Sequence, residues 1–144
     1  MSTITLYHYT NEKGAAAIIK SGYLKASNLT TDATFGKGVY FTSMSPVESK
    51  LAIARNNWDG KVKSLASKMV KAGRLDYYIA VTFKERDRKL KQASCNRDVY
   101  VYKEDLILDH FNYVINEFDE FFDAESFVEA VGIIALYLHT LVED

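Results

Sequence analysis

Three short stretches set chemistry-bearing side chains among aromatic and β-branched neighbours. Leu6-Tyr7-His8-Tyr9-Thr10 holds a histidine inside an otherwise apolar run. Phe35-Gly36-Lys37-Gly38-Val39-Tyr40-Phe41-Thr42 is a glycine-flanked lysine feeding a second aromatic run. Asn96-Arg97-Asp98-Val99-Tyr100-Val101-Tyr102 carries an acid at its head, a residue type depleted from strands. An imidazole exchanges or binds protons near neutral pH, a carboxylate answers positive charge, and a phenol offers a flat face. Each stretch also has a structural reading: a histidine bonded within the fold, a hairpin turn, and a strand opened by turn chemistry. The glycine pattern has the spacing of neither a P-loop nor a dinucleotide fingerprint.

Those side chains need elements to hold them. Residues 4–9 read as a strand, and Thr10 or Asn11 as the cap of a short helix that Gly22 stops. Residues 23–35 are polar and read as a loop, and GVYFTSM as a strand leaving the glycine turn. Ser45 and Pro46 suggest a helix start, with proline in the first helical position and the helix running to about Asn56. A second helix is expected from about Gly60 to Ala72, with Val62, Leu65, Met69 and Val70 at helical spacing and Gly73 ending it. Residues 77–83 are almost continuously apolar and predict a central strand; residues 85–92 predict a basic turn. Residues 98–102 and 106–115 predict two further strands, and 123–141 a terminal helix. Strands and helices without strict alternation point to an α+β fold.

The chain has 144 residues, about the size of one domain, so a single domain over 1–144 is expected. Its 48% apolar and 26% charged residues exclude a disordered tail, a collagen-like chain and a bare coiled coil. One cysteine and three histidines exclude a disulfide framework and a Cys/His zinc site of the usual kind. No apolar run suffices to span a bilayer, and the first residues lack the pattern of a signal peptide. The expectation is a soluble protein, either cytoplasmic or delivered into a target cell by signal-independent export. The net charge of −1 hides an asymmetry: every lysine and arginine lies at or before Lys103, and 11 of 19 acids follow it. The basic residues between Lys61 and Lys91 read as a solvated helix and turn, or as a rim for a phosphate-bearing ligand. Charge alone does not argue for nucleic-acid binding.

Taken in order, the three stretches resemble the ADP-ribosyltransferases. The opening is similar to the His-x-Thr strand of the poly(ADP-ribose) polymerase branch. A short helix ending in Ser21-Gly22 and then the Phe-Gly-Lys-Gly-Val-Tyr-Phe block follow in the same order. The last strand resembles that branch's acid-x-x-Val-Tyr strand, with Asp98 where glutamate is usual. A His, Tyr, Asp set marks the HYD-type ADP-ribosyltransferases, common among microbial toxin domains, and the likeness covers roughly residues 4–105. It implies a split β-sandwich with flanking helices around an NAD-binding cleft.

It also implies an NAD+-consuming mono-ADP-ribosyltransferase, toxin- or effector-like, that cleaves the nicotinamide–ribose bond and needs no metal. The implied catalytic residues are Asp98, His8 and Tyr40. Asp98 would face the nicotinamide ribose, His8 would donate to a ribose hydroxyl on the adenosine side, and Tyr40 would lie against the nicotinamide ring. The main-chain groups of Tyr9 would grip the carboxamide. The expected NAD+-binding residues are His8, Tyr9, Thr10, Gly38, Tyr40 and Ser49. Ser43 and Ser45 are alternatives to Ser49 for the pocket's second wall. Aspartate is about 1.5 Å shorter in reach than glutamate, which argues against building a polymer. The acceptor is unidentified; a protein is expected, a nucleic acid stays open, and no membrane partner is expected. The alternative is an inactive module of the same fold that binds NAD or ADP-ribose. A 2′-phosphotransferase acting on RNA ranks last, supported only by the basic segment. Trp58, His110 and the terminal helix read as structural, His139 as a helix-end cation, and Cys95 as an ordinary thiol.

Overall fold

The computed structural model describes residues 2–27, 36–58 and 63–119. The expected helix over 123–141 lies outside these residues, as do most of the glycine turn's approach and the expected helix start near Gly60. Strand β1 (Thr3–Thr10) turns alternate side chains to two faces. Leu6 is buried on one, while Tyr7 and Tyr9 meet Tyr78 on the other. Asn11 caps helix α1 (Glu12–Ser21) by accepting the Gly14 N–H at 2.7 Å. The helix ends at Gly22, whose N–H returns to the Ile18 carbonyl.

Strands β2 (Tyr23–Leu24) and β3 (Val39–Phe41) follow, then helices α2 (Lys50–Asn57) and α3 (Lys63–Lys71). Strands β4 (Tyr77–Lys84), β5 (Leu90–Gln92), β6 (Tyr100–Tyr102), β7 (Leu106–Ile107) and β8 (Asn112–Glu117) complete the described chain. All pairings are antiparallel, in the orders β1-β4-β8, β3-β6-β5 and β2-β7. β4 is central, as its apolar run predicts. Among the described residues a single bridge, Tyr7 with Thr42, joins the first sheet to the second. The α+β expectation agrees with this mixture of helices and antiparallel sheets.

Two cores flank β1 and β4. Leu6, Val39, Phe41, Val81, Phe83 and Tyr102 belong to one; Ile53, Ala54, Ala66, Leu75 and Phe118 form the other, under α2 and α3. Local expectations needed correction in four places. Ser45 and Pro46 do not start a helix: the Ser45 carbonyl accepts the Glu48 N–H in a turn, where proline suits the second position. Ser49 takes over as the cap of α2. The apolar run over 106–115 is two strands, interrupted by a 3₁₀ turn at Leu108–His110 that buries Leu108 and leaves His110 exposed. The basic turn contains a strand, β5, and the polar loop begins with one, β2.

Candidate active site

The site grows from one interrupted ladder. Tyr7 and Thr42 exchange both main-chain bonds, at 2.8 and 2.9 Å. In an antiparallel ladder the next such exchange, two residues along, would join Tyr9 to Tyr40. Instead, the Tyr40 carbonyl accepts a hydrogen bond from His8 Nδ1 at 2.8 Å. β1 and β3 part at this point. Because Tyr7 directs its N–H and C=O toward β3 and away from β4, Tyr9 directs its own the same way, into the gap.

His8 shares the face of Leu6 and packs edge-on against Phe41, ring centroids 5.8 Å apart. Burial lowers its pKa; the bond to Tyr40 opposes that shift and the positive charge of Arg74 adds to it. The ring is therefore neutral at pH 7, and a carbonyl partner requires the proton on Nδ1. That leaves Nε2 an acceptor. In the neutral ring Nε2 offers a lone pair rather than the proton expected of His8.

Tyr40 occupies the opposite pleat face from Phe41, and its hydroxyl donates to the Gly36 carbonyl at 2.8 Å. The imidazole thus meets Tyr40 through the main chain rather than the ring. Gly38 exchanges main-chain bonds with Ser27 and lies tight on β6, where an added Cβ would stand 2.5 Å from the Tyr102 carbonyl oxygen. Its role is close approach of strands. Thr10 ends β1 with its hydroxyl against Gly14, where an added Cβ would come within 2.1 Å of Oγ1.

Asp98 stands two residues before β6, beside the end of β3. Its carboxylate accepts from Ser43 twice: from the N–H at 2.8 Å and from the hydroxyl through a short bond. Ser43 is three residues beyond Tyr40, about 10 Å along an extended strand. Burial, and next the Asp98 charge, push the Tyr100 phenol upward, which fits the two side chains sharing one side of the strand. Ser49 accepts the Ala52 N–H at 3.0 Å, so its oxygen is engaged in capping α2.

The Tyr9 side chain points to the helix-side core. Its hydroxyl donates to the Met44 carbonyl at 2.7 Å, its ring lies 5.7 Å from that of Phe118, and burial pushes its pKa well up. The ring therefore belongs to the helix-side core.

The stretch that holds these residues matches the family model of HYD1-signature ADP-ribosyltransferases (Tox-ART-HYD1) over residues 6–100, well over half the chain. The chain belongs to that family. No curated protein and no solved structure matches it. Membership makes it an ADP-ribosyltransferase of toxin-like type, an enzyme class that draws on NAD+. Among the described residues, no helix is long and apolar enough to cross a membrane, and no group of three His, Cys, Asp or Glu side chains is arranged to hold a metal.

Sequence reasoning missed the residues of this ADP-ribosyltransferase that fasten Asp98 from behind. Asn56 Oδ1 accepts the Asp98 N–H at 2.8 Å, and Asn56 Nδ2 donates to the Asp98 carbonyl at 2.8 Å. Arg97 Nη1 donates to the Asn56 and Asn57 carbonyls at 3.0 and 3.2 Å, closing the C-terminus of α2. An asparagine at a helix end carries no sequence signal beyond turn chemistry. Trp58, expected to be structural, packs in the helix-side core beneath Arg74, whose guanidinium is 5.8 Å from the ring.

Proposed function

We propose that the protein is a mono-ADP-ribosyltransferase that holds NAD+ in the gap between β1 and β3, within a split β-sandwich. The observation carrying this reading is the ladder interrupted at Tyr9 and Tyr40. A strand edge with one N–H and one C=O turned to a gap matches a carboxamide, which offers one acceptor and one donor in return. His8 Nε2 accepts from a ribose hydroxyl on the adenosine side, and Tyr40 supplies a flat contact to the nicotinamide ring. The carboxylate of Asp98 faces the nicotinamide ribose.

When the nicotinamide–ribose bond breaks, its electron pair leaves with nicotinamide, which becomes neutral, and positive charge builds on the ribose. A fixed carboxylate stabilises that charge without reorganising. A lone pair of the acceptor then forms the new bond to the ribose carbon, and the acceptor loses a proton. The acceptor is proposed to be a protein, met by surface loops outside the gap.

The test is nicotinamide release from NAD+, with and without candidate acceptors. Wild type is expected to release it, and Asp98→Ala to lose at least about a hundredfold in kcat, the range for removing one charge-stabilising group. Equal rates for the two proteins would overturn the reading. One observation favours the alternative of a non-catalytic NAD-binding module: Ser43 already engages both carboxylate oxygens of Asp98. Calorimetric binding of NAD+ without turnover in wild type would decide for that alternative.

A further inference from the structure

The segment carrying Asp98 is held by side chains rather than by its sheet. Phe41 and Tyr100 are the last partners in the β3–β6 register, and continuing it by two residues sets Ser43 opposite Asp98. Main-chain bonds do not continue. The Ser43 N–H goes to the Asp98 carboxylate instead, and the Asp98 N–H and C=O both go to the carboxamide of Asn56. A carboxamide presents the same donor and acceptor as a peptide group, so Asn56 stands in for the strand residue that has moved away. Thr42, 2% exposed, fixes the orientation of that amide: its Oγ1 accepts from Asn56 Nδ2 at 3.3 Å. Arg97 fastens the same helix end from the other side through two carbonyls.

We infer that Asn56 and Ser43 are positioning residues for Asp98. Asn56 sets the height of its main chain, and Ser43 sets the direction of its carboxylate. The inference rests on the catalytic role proposed for Asp98. A side chain as short as aspartate has two rotatable torsions, so an error in its main-chain position passes directly to the carboxylate. A misplacement near 1 Å at a reacting centre costs up to about a hundredfold in rate. The sheet cannot supply that accuracy here, because it has already parted.

Two measurements test this. The first is nicotinamide release by Asn56→Ala, Ser43→Ala and Ser43→Thr beside Asp98→Ala. The expected result is a ten- to hundredfold fall in kcat for both alanine variants, KM for NAD+ within about threefold of wild type, and recovery in Ser43→Thr. If Asp98→Ala is inactive while both alanine variants keep the wild-type kcat, positioning is overturned and the proposed function stands. If Asp98→Ala is as active as wild type, the proposed function fails instead. The second measurement needs no turnover: hydrogen exchange at the Asp98 amide. Asn56→Ala should lose protection there while the β4 amides keep theirs. Asn56→Asp, which retains an acceptor oxygen, should keep it. Unchanged exchange in Asn56→Ala would overturn the inference whatever the activity.

Discussion

In the proposed function His8 has two duties on one ring, and they separate cleanly. Nδ1–H substitutes for the Tyr9 N–H as donor to the Tyr40 carbonyl, and Nε2 is the atom proposed to meet the ligand. His8→Asn places an amide donor near the Nδ1 position and removes Nε2. We expect it to fold normally and to raise KM for NAD+ about two- to tenfold, the worth of one hydrogen bond. An unchanged KM would remove His8 from the ligand. Proton linkage gives a second prediction. The His8 pKa is lowered in the folded state, first by burial, so below the ordinary value of 6.5 the unfolded chain binds the proton more readily. The contribution is complete above about 6.5 and is lost as pH falls through the window between that value and the lowered one. Urea midpoints of wild type should drop from pH 7 to pH 5 more steeply than those of His8→Asn; parallel curves would refute the assignment.

At the scale of elements, the glycine turn shows what was legible and what was not. The Gly-Lys-Gly spacing announced a tight feature, but the two glycines act differently. Gly36 has a φ of 99° with open space around it, whereas Gly38 is required by the approach of β6. Gly38→Ala would press a methyl onto main chain that cannot yield without parting β3 from β6, and we expect a cost of about 1–3 kcal/mol in denaturant unfolding. A cost no larger than the roughly 1 kcal/mol expected for Gly36→Ala would show that the strands are free to separate there. Strands β1 and β4 were legible because their apolar residues have few other arrangements, and α1 because Asn11 and Gly22 bracket it. The start of α2 was not, since Ser45-Pro46 satisfies both a cap and a turn, and only packing of Ile53 and Ala54 selects Ser49. The stretches that carry His8, Tyr40 and Asp98 were readable as three motifs. The clamp on Asp98 was not: Asn56 and Ser43 gain meaning only when α2 and the end of β3 meet the Asp98 segment.

The whole molecule is organised around a shared floor. β1 and β4 present Leu6, Val81 and Phe83 to the sheet-side core, and Tyr9 and Tyr78 to the helix-side one. The second core is tied to that floor by Lys50, whose ammonium pairs with Asp76 at 3.0 Å and lies 5.3 Å from the Phe118 ring, and by the Phe118 N–H on the Asp76 carbonyl at 2.7 Å. With every strand of the floor committed to both sides, neither core can empty without exposing the other, so unfolding should be one transition. Trp58, the only tryptophan, reports on the helix-side core alone. Phe83 lies in the opposite core, fully buried, within ring contact of Phe41, Tyr102 and Phe111. Phe83→Ala should cost about 3–5 kcal/mol. The loss should appear equally in the Trp58 fluorescence midpoint and in the far-ultraviolet circular dichroism midpoint. A fluorescence midpoint that stays at the wild-type value while the dichroism midpoint falls would mean that the helices keep their core when the sheet side is lost. The gap between β1 and β3, which joins the two sides, would then have no fixed geometry in which to hold a dinucleotide.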